Sequence, residues 1–463
     1  MRGDYIFMKF KRFALIISFI LFITACSGNP PQLMNFLYEN SGTIDFDGMT
    51  FRIFHTRDTD LRYVDENGGA SSERHEKLLK RLDDIEKNYN CTIETLQGES
   101  ADFTLKFVSN IPCADLFNDS INYAYPMYIS NYFIPLNEIP NIDMYSGKYG
   151  TEALLNTLTW NDDTVGFYPQ QWGQGPMRFS NAMVYNPEIF TLINHPTPNE
   201  YYEQNNWNWD ILRKVGLDCV SISTPDKPLT LSPSNSHFFR MLIQSNGGEY
   251  IVKDTNGKYS YGLLDQKVYE ALQFGHELYA EGLLEKGSGG YATYVNNFSQ
   301  NQYAIMCEYS DYGVDDLIST TSVGDAAGEM KSVGFCYAPE GPNIADNTRG
   351  IISNYTYFYF VTREKEDDIE QLGNFMETLF EPLDEDPNEW IEEFKTMNFF
   401  DDMSAEVYMT QAENAYFDKI VFTDISINDI IANAAIRGNI TESLQSIASS
   451  VNSALDSGIN AGK

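Results

Sequence analysis

Apolar and polar positions alternate from Met49 to Phe54 (Met-Thr-Phe-Arg-Ile-Phe), the period of a half-buried strand, with Asp45, Asp47 and Gly48 supplying a turn ahead of it. Between Ser72 and Tyr89 the period changes. Leu78, Leu79, Leu82, Ile85 and Tyr89 recur at spacings of three and four with charges between them, which predicts an amphipathic helix. Cys91 to Leu96 alternates again, so strand, helix and strand make a βαβ unit. Further strands are predicted at Ala114–Phe117, Gly166–Tyr168, Asn181–Tyr185, Ala304–Met306, Ser332–Ala338 and Tyr355–Val361. Helices are predicted from Asp210, at Phe238–Gln244, Val268–Tyr279 and Ile369–Phe380, and along the acidic stretch Asp384–Asp402. Two more flank Gly438 between Ile425 and Leu455. The fold class is α/β, with the strand order left open by the pattern.

The first residues read differently. Lys9, Lys11 and Arg12 precede an apolar run from Phe13 to Ala25, shorter than the ~20 residues a spanning helix needs. The run closes on Ile23-Thr24-Ala25-Cys26, which resembles a bacterial lipoprotein signal. The resemblance implies a signal peptide over residues 1–25. It also implies that the Cys26 thiol receives a diacylglycerol and becomes the new N-terminus, with the chain held at the cell membrane on its extracytoplasmic face. Met8 is a better initiator than Met1, because Asp4 interrupts a region that should be basic. Ser27-Gly28-Asn29-Pro30-Pro31 opens a flexible tether over residues 26–43.

Composition narrows the rest. Apolar residues are 43% and aromatics 14%, enough to build a packed core. The formal net charge is −35, and the leader (Arg2, Lys9, Lys11 and Arg12 against Asp4) carries +3, so the remainder stands near −38. Such a field repels nucleic acid and anionic headgroups and keeps an exported protein soluble. Cys91, Cys113, Cys219, Cys307 and Cys336 are odd in number and lack Cys-x-x-Cys spacing, which fits buried free thiols.

Six short motifs then fall in order: Val184-Tyr185-Asn186-Pro187-Glu188, Trp207-Asn208-Trp209-Asp210, Ser245-Asn246-Gly247-Gly248, Leu278-Tyr279-Ala280-Glu281-Gly282, Phe298 to Met306, and Tyr337-Ala338-Pro339-Glu340-Gly341-Pro342. Together, over residues 50 to 455, they resemble family 1 of the extracellular solute-binding proteins of ABC importers, the group that includes carbohydrate receptors. Gln302-Tyr303 departs from the family's frequent Gly-Lys. The resemblance implies a two-lobed periplasmic-binding-protein fold of type II with the ligand cleft between lobes. Residues 44–170 would form the first segment of lobe 1 and 175–345 that of lobe 2. Residues 350–400 would return to lobe 1, and 405–463 would be helices on lobe 2. It further implies a monomer that passes a solute to permease subunits.

Sugar recognition needs flat aromatic faces and planar polar groups for hydroxyls stripped of water. Trp172 stands at the inferred first crossing. Asn118, Asp119 and Asn122, with Tyr125, follow the third strand, at a strand end where open α/β sheets place ligands. Tyr309, Asp311 and Tyr312 follow the Ala304–Met306 strand in the other lobe, and Arg57 follows the first strand, where a bidentate contact to an acidic group is within its chemistry. No Gly-x-Ser-x-Gly, Walker A, His-Glu-x-x-His or calcium-loop pattern occurs, so no catalytic residue, cofactor or metal is expected. The competing expectation is an exported glycoside hydrolase using Asp119 with Glu308 or Asp311. A lipid-anchored partner of a sensor kinase would differ only in its docking surface.

Overall fold

The computed structural model describes residues 44–461 except 57–60, 65–68, 110, 174, 287–288, 309–331, 344, 346–347, 353–355 and 424. The described chain separates into a small unit, residues 44–51 with 80–94, and a larger one holding the remaining residues. In the small unit Phe46 meets Phe51 edge-on at 5.1 Å and Tyr89 at 6.0 Å, and the backbone N–H of Ile93 donates to Glu86. Leu82 and Ile85 are buried, as the three-four spacing predicts.

Strands β1 (Met49–His55), β2 (Cys91–Gln97), β3 (Leu116–Ser120) and β4 (Phe133–Ile134) alternate with helices α1 (Glu73–Tyr89), α2 (Ser100–Val108) and α3 (Ile121–Ile129). A short strand β5 (Phe179–Ser180) leads into β6 (Ala182–Tyr185), followed by helices α4 (Trp209–Ile222), α5 (Ser236–Ser245) and α6 (Gln266–Ala280). Then come β7 (Ile305–Glu308), β8 (Gly334–Cys336), β9 (Ile351–Ile352) and β10 (Tyr357–Thr362). Helices α7 (Ile369–Leu379), α8 (Asp402–Glu413), α9 (Asn428–Arg437) and α10 (Ile440–Ser457) complete the series used below.

The first sheet has the order β2-β1-β3-β10-β4. β1 and β3 are parallel, with Ile53 opposite Leu116, and β10 runs antiparallel to both β3 and β4. Its core is aromatic: Phe103 stacks on Phe117 at 4.1 Å and Phe133 on Phe360 at 4.9 Å. Such pairs each add about 0.5–1.5 kcal/mol beyond area burial. The second sheet is β7-β6-β8, antiparallel throughout. Helix α8 lies on β8, where the Ser404 hydroxyl accepts the Phe335 N–H at 2.9 Å, and α9 packs on α5 and α6.

One expectation is corrected. The third strand runs to Ser120 rather than stopping at Phe117, because its polar residues are buried and bonded rather than solvated. Carboxylates of the acidic stretches are also committed inside the protein. The Asp384 side chain is 3% exposed and pairs with Lys77 at 2.7 Å and Arg74 at 3.0 Å. The Glu364 carboxylate accepts the backbone N–H groups of Cys113 and Ala114. All five described cysteines are free and buried.

Candidate functional site

Parallel pairing of β1 and β3 puts His55 and Ser120 at the same edge of the first sheet. Every residue of β3 is buried, including three polar ones, so each side chain must find a partner inside the protein. Asn118 donates its amide N–H to the Phe358 carbonyl at 3.1 Å. The Asp119 carboxylate accepts the Ser100 hydroxyl and, at 2.6 Å, the Ser120 N–H. Burial raises the Asp119 pKa, and the hydrogen bonds from Ser100, Ser120 and Thr56 oppose that shift.

The second sheet presents a buried polar cluster of its own. Its strand β6 begins at Ala182, opposite Glu308 at the end of β7, so Asn181 just before β6 stands beside that carboxylate's strand. Asn181 adopts the left-handed conformation (φ 63°), which Asn tolerates better than most residues. Asn235 caps α5 by accepting the Phe238 N–H, and its amide donates to the Cys307 carbonyl and to Glu308 at 3.2 Å. The His237 ring meets the Asn181 side-chain oxygen at 3.1 Å. Its other nitrogen lies 3.7 Å from the Glu308 carboxylate. Burial, helped by Arg240, pushes the His237 pKa down to about 3, so the ring is neutral and this approach is not an ion pair. The Asn181 amide nitrogen is buried and has no hydrogen-bond partner among the described residues.

Three chain segments run side by side between the two sheets. β5 pairs antiparallel with β9, Ser180 opposite Ile351, and a parallel bridge joins Ile351 to Tyr416. Gly350 sits at the junction, donating its N–H to the Gln411 carbonyl and accepting that of Tyr416. From β5 the chain passes straight through Asn181 into the second sheet, while β9 leads back toward β10 in the first. The polar cluster therefore stands where the chain passes from β5 into the second sheet.

The sequence-predicted residues divide into groups. Asn118 and Asp119 lie together at the first sheet's edge, both buried and bonded as above. Asn122 is exposed on α3. Tyr125 packs on Phe422 at 4.5 Å and edge-on to Trp160. Trp172 is 2% exposed and packs on Phe380 at 4.9 Å and Tyr359 at 5.9 Å, so its ring is packed in the structure rather than presented as an open aromatic platform. Arg57, Tyr309, Asp311, Tyr312 and Cys26 lie outside the described residues. Asn181, Asn235 and His237 were not predicted; the visible signal was an Asn-Ser-His start to a helix and an Asn opening an apolar strand. Among the described residues no cluster of three or more His, Cys, Asp or Glu side chains is placed to hold a metal ion.

Solved structures with this architecture decide the fold. The GacH receptor of Streptomyces glaucescens GLA.O, studied unliganded and with acarbose, superposes with a TM-score of 0.55 at 13% identity, covering 90% of this chain and 100% of that one. The fold is that of the two-lobed sugar-binding proteins. The cyclic alpha-maltosyl-1,6-maltose binding protein from Arthrobacter globiformis (TM-score 0.59, 14% identity) covers 89% of this chain and 100% of that one. The sugar-binding protein MalE from Xanthomonas citri (0.59, 12%) covers 88% and 98%. Comparison with protein-family models and with curated sequences returns no match. β5, β9 and the Tyr416 segment form a set of paired strands of their own, apart from the two larger sheets.

Proposed function

We propose that the chain is the solute receptor of an ABC importer, binding a sugar or oligosaccharide as its lobes close and delivering it to the permease. The observation that carries the reading is the buried, uncommitted Asn181 amide beside Glu308 and neutral His237, at the hinge end of the second sheet. A sugar hydroxyl would accept that N–H, and buried polar groups left without partners are otherwise costly. The sugar ligands named for proteins of the same fold support a carbohydrate. On the other reading Asp119 would be a hydrolytic carboxylate, but both its oxygens accept internal hydrogen bonds.

Calorimetric titration with maltose and acarbose tests this. The expected result is saturable one-to-one binding by at least one of them, weakened about tenfold in Asn181→Ala, the equivalent of one buried hydrogen bond. No product should form from a chromogenic glycoside. Turnover that Asp119→Asn abolishes would overturn the receptor reading.

The same proposal includes the tether. Cys26, after its basic and apolar leader, would carry the lipid that holds the receptor at the outer face of the cell membrane and raises its effective concentration at the permease. Cys26→Ser is expected to move the expressed protein from the detergent phase to the aqueous phase of a Triton X-114 partition. An unchanged partition would remove the lipid anchor from the proposal.

A further inference from the structure

A cavity of about 310 Å³ lies against the hinge. It is separate from the polar cluster: Asn181, His237 and Glu308 do not line it, and the α5 residues that do, Arg240, Ile243 and Gln244, come one to two turns further along that helix than His237. Arg349 and Ile351 of the second crossing and Tyr416 of the third form one wall, while Asn156 and Thr159 come from the segment preceding the first crossing.

Its charge runs against the rest of the molecule. The chain carries −35, yet four cations, Arg240, Lys253, Arg349 and Lys419, line this cavity against two carboxylates, Asp418 and Glu249. Arg240 pairs with Asp418 at 2.8 Å, both side chains about nine-tenths buried. The other three have no ion-pair partner among the described residues. The Arg349 guanidinium rests on the Tyr416 ring at 4.2 Å, and the Lys253 ammonium lies 5.3 Å from the centre of the Tyr259 ring. The Lys419 ammonium donates to the Thr157 carbonyl at 3.0 Å. Two buried donors stand unused: Nε of Arg240, a residue 8% exposed, and the hydroxyl of Tyr250, 4% exposed. Burial pushes the Lys419 pKa down to about 8, attraction to Asp418 opposes that shift, and repulsion from Lys253 and Arg349 adds to it, so these cations feel one another across the cavity.

Clustered cations in a partly desolvated site, with donors left over, are complementary to an oxyanion, which offers several acceptor oxygens and matches the planar fork of Arg. We propose that the hinge cavity binds a small oxyanion, either free as phosphate or sulfate or as the carboxylate of a sugar acid. A volume near 300 Å³ lies at the lower end of small-molecule sites, so either source fits.

Calorimetric titration of the full chain at constant ionic strength, adjusted with sodium chloride, tests the proposal with three probes: phosphate, sulfate and glucuronate. The expected result is saturable one-to-one binding of at least one probe, weakened tenfold or more in the double variant Lys253→Gln/Arg349→Gln. Both of these residues are exposed, so the variant should keep the wild-type melting temperature without anion. Preference for phosphate or sulfate assigns the free ion, and preference for glucuronate assigns the sugar acid. Absence of saturable binding by all three, or equal affinity in wild type and variant, overturns the proposal. Maltose or acarbose affinity in the same variant reports on the Asn181 cluster and is expected to stay unchanged, so failure of one site is distinguishable from failure of the other.

Discussion

Lys148→Met is expected to destabilise the protein by ~3–5 kcal/mol, the range observed when one member of a buried ion pair is removed. The Lys148 ammonium lies 2.6 Å from Glu377 and 2.5 Å from Glu381, and the Glu377 side chain is 3% exposed. The other oxygen of Glu377 accepts the Tyr149 hydroxyl at 3.0 Å and the Asp143 N–H at 3.1 Å. Two neutral donors cannot replace the cation, so the substitution leaves a carboxylate buried on α7 without its counter-charge. Lys148→Met/Glu377→Gln, which discharges that carboxylate, should recover a good part of the loss. Urea unfolding of the three proteins measures it. A single-variant loss below about 1 kcal/mol, or no recovery in the double variant, would show that the pair is not what holds α7 to the Lys148 segment.

Gly350→Ala is expected to be the second most damaging of these changes, and to act on binding as well as stability. A Cβ at Gly350 would lie 2.6 Å from the Phe179 ring, 2.8 Å from the Phe179 Cβ and 2.9 Å from the Gln411 carbonyl oxygen. Phe179 is fully buried, and Gln411 is held by its own bond to the Gly350 N–H. The methyl therefore forces apart the segments that cross between the sheets. Overpacking of this kind costs ~1–3 kcal/mol, and a displaced β5 carries Asn181 with it. Maltose or acarbose affinity should fall along with the urea midpoint. Gly290→Ala is the steric control, since its new Cβ meets nothing within 4 Å, and its cost should stay within the ~1 kcal/mol of a lost glycine N-cap. If both variants behave alike in binding, the close packing around Gly350 is not tight enough to constrain the segments that meet there.

Much of the fold was legible where one face of an element is wet. α1, β1 and the helix pair around Gly438 show clean periods because their outer faces carry charges. Elements whose polarity does not track exposure hid themselves, as in α3, which exposes Tyr123 and Ile129. α3 reads Ile121-Asn-Tyr-Ala-Tyr-Pro126-Met-Tyr-Ile129, with little polar contrast and a proline that ordinarily ends a helix, yet it is helical through Pro126. The second half of β3 is polar in sequence and buried in fact, because Phe358 and Ser100 satisfy Asn118 and Asp119. The site divides the same way. Asn118 and Asp119, proposed from the strand end, are buried there with internal hydrogen-bond partners, whereas Trp172, read as a sugar platform, is packed against Phe380 and Tyr359. The hinge cavity had no local signature at all. Its cations sit at positions 240, 253, 349 and 419, and only the crossing of the chain brings them together.

The strand order also sets the sequence of events in folding. The second sheet uses β6, β7 and β8, all made by Cys336. The first cannot close so early, because β3 lies between β1 and β10, and its partner on one side, Tyr357–Val361, is among the later segments synthesised. Such non-local pairing is slow, and an unpaired strand is a template for the wrong partner. A nascent chain that has reached Cys336 can thus complete one sheet while β3 still presents an open edge of Leu116, Phe117 and polar residues. The product of stalled translation or of truncation before Tyr357 should therefore be an aggregation-prone, half-folded chain, and the interval before β10 arrives is when a holding chaperone would matter most.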